Sequence, residues 1–189
     1  MKKIAITGLI SSGKSSVAQL IAKKVHPIFD ADKEVHNIYK NKKFLKKIKF
    51  IFNLPNKISQ SKNEIKKLIK QKKINLTKLE KIIHPIVRDQ MKKFVYKNRK
   101  KKMLIFEIPL LIESKLMKHF DVIVLVSCPK RTRMKRYLKK GGSKFLFNYL
   151  NDRQISENKK KKICQHVIKN NKSFNVLKVS VSNIIKNYE

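Results

Sequence analysis

Apolar positions along this chain fall into two kinds of block. Short, dense runs rich in branched residues occur at 3–7 (KIAIT), 26–30 (HPIFD), 103–108 (MLIFEI), 121–127 (DVIVLVS) and 166–169 (HVIK). Each predicts a buried strand. Between them, apolar residues recur at helical spacing. Val17, Leu20, Ile21 and Val25 place a helix after the first run. Segment 130–140 (KRTRMKRYLKK) predicts a basic helix ending at Gly141-Gly142. Residues 143–162 predict a further helix with Phe145, Leu146, Tyr149 and Leu150 on one face, and 172–188 a final amphipathic helix. Strands alternating with helices predict an α/β fold with a parallel sheet. The lysine-rich stretch 33–100 is mainly helical and too long for one crossover helix. It predicts an inserted helical subdomain, interrupted at Pro55 and Pro85.

Two of the four glycines stand five apart immediately after the first predicted strand. Gly8-Leu9-Ile10-Ser11-Ser12-Gly13-Lys14-Ser15 fits G-x-x-x-x-G-K-[ST], between a strand and a helix as a phosphate loop requires. Backbone N–H groups and the positive helix N-terminus can cradle phosphates there. Lys14 is expected to face solvent and reach β/γ-phosphates, and the Ser15 hydroxyl to ligate Mg²⁺. The alternative is an ordinary strand-to-helix turn.

Composition narrows the field. A chain of 189 residues, 41% hydrophobic, can bury one substantial core. No apolar run approaches the ~18 residues of a membrane span. A strand and phosphate loop at the N-terminus do not resemble a signal peptide. Cys128 and Cys164 are too few and too far apart for a disulfide framework or metal site, which suits a reducing cytoplasm. Forty-eight Lys+Arg against twelve Asp+Glu give a net charge of +36, which raises nucleic acid as a partner. Yet arginine occurs only at Arg88, Arg99, Arg131, Arg133, Arg136 and Arg153. The abundance of Lys, Ile and Asn together fits A/T-biased codons, plus attraction to an anionic substrate, without a specific nucleic-acid partner. A selected polyanion surface is the competing explanation. In either case acids are scarce, so each surviving Asp or Glu is informative.

Four segments carry candidate chemistry. Asp30-Ala31-Asp32 stands at the C-terminal end of the second strand, the edge where open α/β sheets bind ligands. Two such carboxylates can hold Mg²⁺-bound water or accept a substrate proton; they could equally form a turn and a helix N-cap. In Ile82-Ile83-His84-Pro85-Ile86-Val87-Arg88, Pro85 suits a first helical turn. His84 then starts a helix and Arg88 lies one turn on, as a phosphate clamp or a solvated cation. Glu107 closes the third strand before Pro109, for substrate or metal contact or for a salt bridge. Arg131, Arg133, Arg136, Arg153 and Gln154 flank the Gly141-Gly142 hinge, as in a lid over ATP or a basic surface helix.

Taken in order, the P-loop, "DAD", "IIHPIVR", "FEIPLLIE" and "DVIVLVSCP" with its arginine-bearing helix resemble the dephospho-CoA kinase family from residue 3 to about 170. That resemblance implies a three-layer αβα P-loop kinase fold with a parallel sheet. The core would be 1–32, 101–138 and 163–189, the helical CoA-binding insertion about 33–100, and the lid about 139–162. It implies phosphorylation of the ribose 3′-hydroxyl of dephospho-CoA by ATP with Mg²⁺, in a cytoplasmic and monomeric enzyme. Gly8, Leu9, Ile10, Ser11, Ser12, Gly13, Lys14, Ser15 and Ser16 would bind ATP, with Ser15 on the metal. Asp32 would be the base, acting with Lys14. Asp30, Asp32, His84, Arg88, Glu107 and Leu110 would line the acceptor, and Arg136 would cover the ATP phosphates. The chain departs from the family pattern in three places. Leu9 and Ser11 replace the usual extra glycines and are expected to keep negative φ. Lys139-Lys140-Gly141 stands where an arginine–aspartate pair is common, and Lys161-Lys162 where arginines are. Two rivals are another nucleoside or nucleotide kinase, and a basic nucleic-acid-binding protein with a vestigial P-loop.

Overall fold

The computed structural model describes residues 1–54 and 75–188. The predicted interruption at Pro55 lies outside them. The chain divides into two compact units, Met1–Asp30 with Lys97–Glu189, and Ala31–Tyr96.

The first unit is built on five parallel strands: β1 (Lys2–Thr7), β2 (Ile28–Asp30), β3 (Met103–Glu107), β4 (Val122–Ser127) and β5 (His166–Lys169), in the order β2-β3-β1-β4-β5. Each of the five apolar runs supplies one strand. The central strands are near-continuously apolar because both faces are covered, as parallel sheets require. One face packs Ile4, Ile6, Ile105, Val124 and Ile168 against α1 (Lys14–Ala22) and α8 (Phe174–Ile185), through Val17, Ile21, Leu177, Val181 and Ile185. Alternation turns Phe106 to the other face, where its ring meets Phe29 at 5.8 Å and Phe120 at 5.0 Å. The order of strands reverses at β1, whose neighbours are β3 and β4, so the loop after β1 opens at a topological switch point.

After β4 come α5 (Lys130–Lys139), α6 (Lys144–Asp152) and α7 (Glu157–Lys161). The helix expected over 143–162 is therefore two helices. The Ser143 hydroxyl caps the first by accepting from Leu146 N–H at 3.2 Å, and that helix ends at Asp152. Its buried residue is Phe147, packed on Tyr137 and beneath Arg133, while Phe145 and Tyr149 are exposed. The first helix is also shorter than its spacing predicts. It stops at Ala22 because Lys23 and Lys24 turn left-handed, and Val25 is left exposed.

The second unit contains α2 (Ala31–Lys40), α3 (Lys42–Ile51) and α4 (Leu76–Lys97) among the described residues. Asn41 caps α3 through Oδ1, which accepts from Lys43 N–H at 2.9 Å and Phe44 N–H at 3.2 Å. Ile38, Tyr39, Phe44, Leu45, Ile48, Leu79 and Ile83 form its core. Burial, then the nearby Glu80 charge, pushes the Tyr39 phenol up to about 12. Pro85 sits inside α4 rather than at its first turn. Its missing N–H orphans the Lys81 carbonyl, but both residues lie on the exposed face, where water can replace the donor. No helix among the described residues is long and apolar enough to cross a membrane.

Candidate active site

Sterics fix the loop after β1. Gly8 has φ +154, and a Cβ there would come within 2.5 Å of the Val126 carbonyl oxygen. Gly13, at φ +95, would collide with Asn170 Nδ2 if it carried one. Both glycines are thus required by close approach as well as by backbone angle. Between them Ser12 N–H donates to Leu9 C=O at 3.1 Å and closes a turn with Ser11 in its third position. Ser11 takes φ +57, contrary to the negative φ expected of a serine there. The turn geometry overrides the residue's preference.

Lys14 opens α1 and is buried, not solvent-facing. Its Nζ folds back to donate to Gly8 C=O and Leu9 C=O, both at 3.2 Å. An ammonium so held points across the loop mouth at carbonyls a phosphate could outbid. Ser15, next along the helix, donates its hydroxyl to Glu107 Oε1 at 2.8 Å. Glu107 ends β3 and is buried; it lies opposite Ile6 on one side and Asp30 on the other. Ser15, Glu107 and Asp30 thereby share the C-terminal edge of the sheet. Thr7 Oγ1 donates to Pro109 C=O at 3.2 Å, tying β1 to the segment after β3. Leu110 is half-buried there, with its carbonyl accepting from Ser114 N–H at 2.9 Å.

Helix α5 turns two arginines back toward the loop. Arg133 is buried and donates to Cys128 C=O at 2.9 Å, Asn151 Oδ1 at 2.9 Å and Ile10 C=O at 3.4 Å. Burial lowers its pKa, against the pull of Glu157. Arg136 donates to Ser12 C=O at 3.3 Å and Asn170 C=O at 3.2 Å, and lies 3.5 Å from Cys128 Sγ. Burial pushes the Cys128 thiol up, opposed by those two arginine charges. Asn170, just past β5, adds Nδ2 to Ser12 C=O at 2.8 Å.

The stretch after α6 also reaches the loop. Gln154 Oε1 accepts from Ile10 N–H at 2.7 Å. Glu113 Oε1 accepts from Ile155 N–H at 2.9 Å and pairs with Lys160 Nζ at 2.8 Å, while Lys160 is fully buried. Sequence reasoning nominated Gln154 only as a lid residue and missed Asn170, Glu113 and Lys160. The scarcity of acids was the signal that could have flagged Glu113. Arg131 is exposed on α5, and Arg153 lies over the Tyr149 ring.

In the second unit, Asp32 is the second residue of α2, in its first turn with Glu34, where the helix dipole favours carboxylates. His84 and Arg88 lie i,i+4 on one face of α4, mid-helix rather than at its start. Among the described residues no three His, Cys, Asp or Glu cluster in metal-binding fashion.

The dephospho-CoA kinase family profile matches residues 2–175. A curated dephospho-CoA kinase of Bartonella henselae is 32% identical over 192 residues, covering 98% of this chain and 97% of its own. Among solved structures, a Thermus thermophilus protein superposes with a TM-score of 0.81 at 25% identity, covering 100% of this chain and 98% of its own. A dephospho-CoA kinase from Campylobacter jejuni shares the fold with a TM-score of 0.65 at 23% identity, over 100% and 97%. With that much of its length matched, this chain belongs to the dephospho-CoA kinase family.

Proposed function

We propose that this protein transfers the γ-phosphoryl group of ATP to the ribose 3′-hydroxyl of dephospho-CoA, forming coenzyme A and ADP. The observation that carries the reading is the loop Gly8–Ser15 at the sheet's switch point, with Lys14 Nζ held at its mouth. Phosphoryl transfer passes through a loose transition state, so the protein's work is positioning and charge stabilisation. The amides of residues 8–16 and the α1 N-terminus supply fixed positive dipoles for the phosphates. Lys14 exchanges two neutral carbonyls for anionic oxygens when the nucleotide arrives, a stronger hydrogen bond. Arg136 adds a second cation from α5.

The oxygen-only set at the sheet edge fits Mg²⁺, a hard cation that keeps several waters and takes one or two protein ligands. Ser15 would hold it, with Glu107 and Asp30 supporting bound water. Such an ion neutralises charge on the β- and γ-phosphate oxygens. Asp32 would accept the proton of the attacking hydroxyl. His84 and Arg88, one turn apart, would receive the acceptor's phosphates, with Leu110 lining the acceptor side. On this reading residues 33–100 receive dephospho-CoA and 139–162 act as a lid. The enzyme is a cytoplasmic monomer acting on small molecules.

The test is purified protein with Mg-ATP and a panel of acceptors, following ADP release and product mass. Phosphorylation of dephospho-CoA at the 3′ position is expected. Turnover with nucleosides but not with dephospho-CoA would overturn the assignment, as would no turnover with any acceptor.

A further inference from the structure

The turn Leu9–Ser12 has a conformation that ordinarily belongs to glycine. Ile10 is not among the residues with positive φ, whereas Ser11 is at +57. With Ser12 N–H on Leu9 C=O, this is the sign pattern of a type II turn, whose third position favours glycine. A serine there is strained. The competing type I turn differs by a flip of the peptide joining Ile10 to Ser11 and would leave Ser11 relaxed at negative φ. The tethers on that peptide and on the one before it come from outside the loop. Arg133 holds the carbonyl of that peptide, and Gln154 Oε1 takes the Ile10 N–H on the other side of the residue. Gln154 is itself placed by its neighbour Ile155, whose N–H is bonded to the Glu113 carboxylate of the buried Glu113–Lys160 pair.

We propose that Gln154 is a positioning residue for the phosphoryl donor: its carboxamide, acting with Arg133, clamps Ile10 so that Ser11 stays left-handed and the loop stays shaped for phosphate. This rests on the reading of residues 8–15 as the cradle of ATP. The clamp does for this loop what a glycine at position 11 would do by itself. It also ties the segment after α6 to the nucleotide site through one short hydrogen bond.

The test is a cycle of Gln154→Ala, Gln154→Asn, Ser11→Gly and Ser11→Gly/Gln154→Ala. In steady-state kinetics both Gln154 variants should raise KM for ATP about fivefold, the equivalent of one net hydrogen bond. KM for dephospho-CoA should stay within about twofold, and kcat should fall less than KM rises. Glycine at position 11 removes the need for the clamp, so the double variant should return to within about twofold of Ser11→Gly alone. A second readout needs no turnover. In the nucleotide-free protein the Ile10 Hα to Ser11 N–H nuclear Overhauser effect, strong in a type II turn and weak in a type I turn, should weaken in Gln154→Ala and return to wild-type strength in the double variant. A fivefold ATP deficit that persists with glycine at 11, or an unchanged Ile10–Ser11 Overhauser effect in Gln154→Ala, refutes the clamp. Wild-type protein that fails to turn over ATP while the Overhauser pattern holds refutes the functional reading instead.

Discussion

Lys160 is fully buried, and its ammonium is satisfied by Glu113 Oε1 at 2.8 Å and Pro109 C=O at 3.4 Å. Lys160→Met keeps the length and apolar stem but removes the charge. Glu113 is then left with the Ile155 N–H on Oε1 and no partner on its buried Oε2. Orphaning one member of a buried pair costs ~3–5 kcal/mol. The Glu113 side chain retains 17% exposure, so partial hydration places the cost at the lower end, about 3 kcal/mol. For a chain of this size that corresponds to a Tm lower by about 6–12 °C. Replacing both partners, as Lys160→Met with Glu113→Leu, removes the orphaned charge. It leaves only the Ile155 N–H without its acceptor, about 1–3 kcal/mol. The double variant should therefore be no less stable than Lys160→Met alone. Guanidinium denaturation followed by far-UV circular dichroism is the suitable assay, since the chain has no tryptophan. A Lys160→Met cost below about 1 kcal/mol, the range of an exposed pair, would refute the reasoning. So would a double variant markedly weaker than the single.

Lys14→Met should lower kcat/KM on the order of 10²–10³-fold, as expected for loss of one preorganised charge donor, with the helix content of the protein unchanged in circular dichroism. Asp32→Asn should cost on the order of 10²–10³ in turnover with dephospho-CoA while sparing ATP binding, the lower half of the range for losing a general base; turnover within about threefold of wild type would place the base elsewhere. Asp30→Asn should be milder in the same assay, because Asp30 stands at the strand end opposite Glu107. At Glu157, burial pushes the carboxyl up, but hydrogen bonds from Lys161 and Ser127 and the charges of Lys161 and Arg133 outweigh it, leaving the pKa below its ordinary value. A depressed folded pKa stabilises above the unfolded pKa of about 4.3 and loses that contribution as pH falls through the folded value. Stability curves should thus show Glu157→Gln converging on wild type at the acid end of the titration and falling below it above pH ~5.

Much of the fold was legible because its signals are local. Dense branched apolar runs have few options besides a buried strand, and the loop's glycines follow from a backbone that approaches Val126 and Asn170 too closely for a Cβ. The phosphate loop's place between β1 and α1 is likewise contained in one contiguous stretch. Helix limits were less legible. Pro85 suggests a helix start, but packing of Ile83 before it and of Ile86 and Val87 after it on the second unit's core carries α4 through it. Phe145 and Phe147 are equally apolar in sequence, and only the positions of Tyr137 and Arg133 decide which is buried.

The sequence by itself therefore determined the α/β class, the five strands, the nucleotide loop and the family to which the chain is similar. Strand order, the burial of Lys14 and the left-handed Ser11 were decided only by the tertiary structure. So were the contacts that converge on the loop from far along the chain: Glu107 on Ser15, Asn170 and Arg136 on Ser12, Gln154 and Arg133 on Ile10. The reason is one of range. Periodicity and turn chemistry act over a few residues, whereas each of these hydrogen bonds joins groups 92 to 158 positions apart. Such a pair has no spacing rule to read. It exists because a parallel sheet brings the ends of all its strands to one edge.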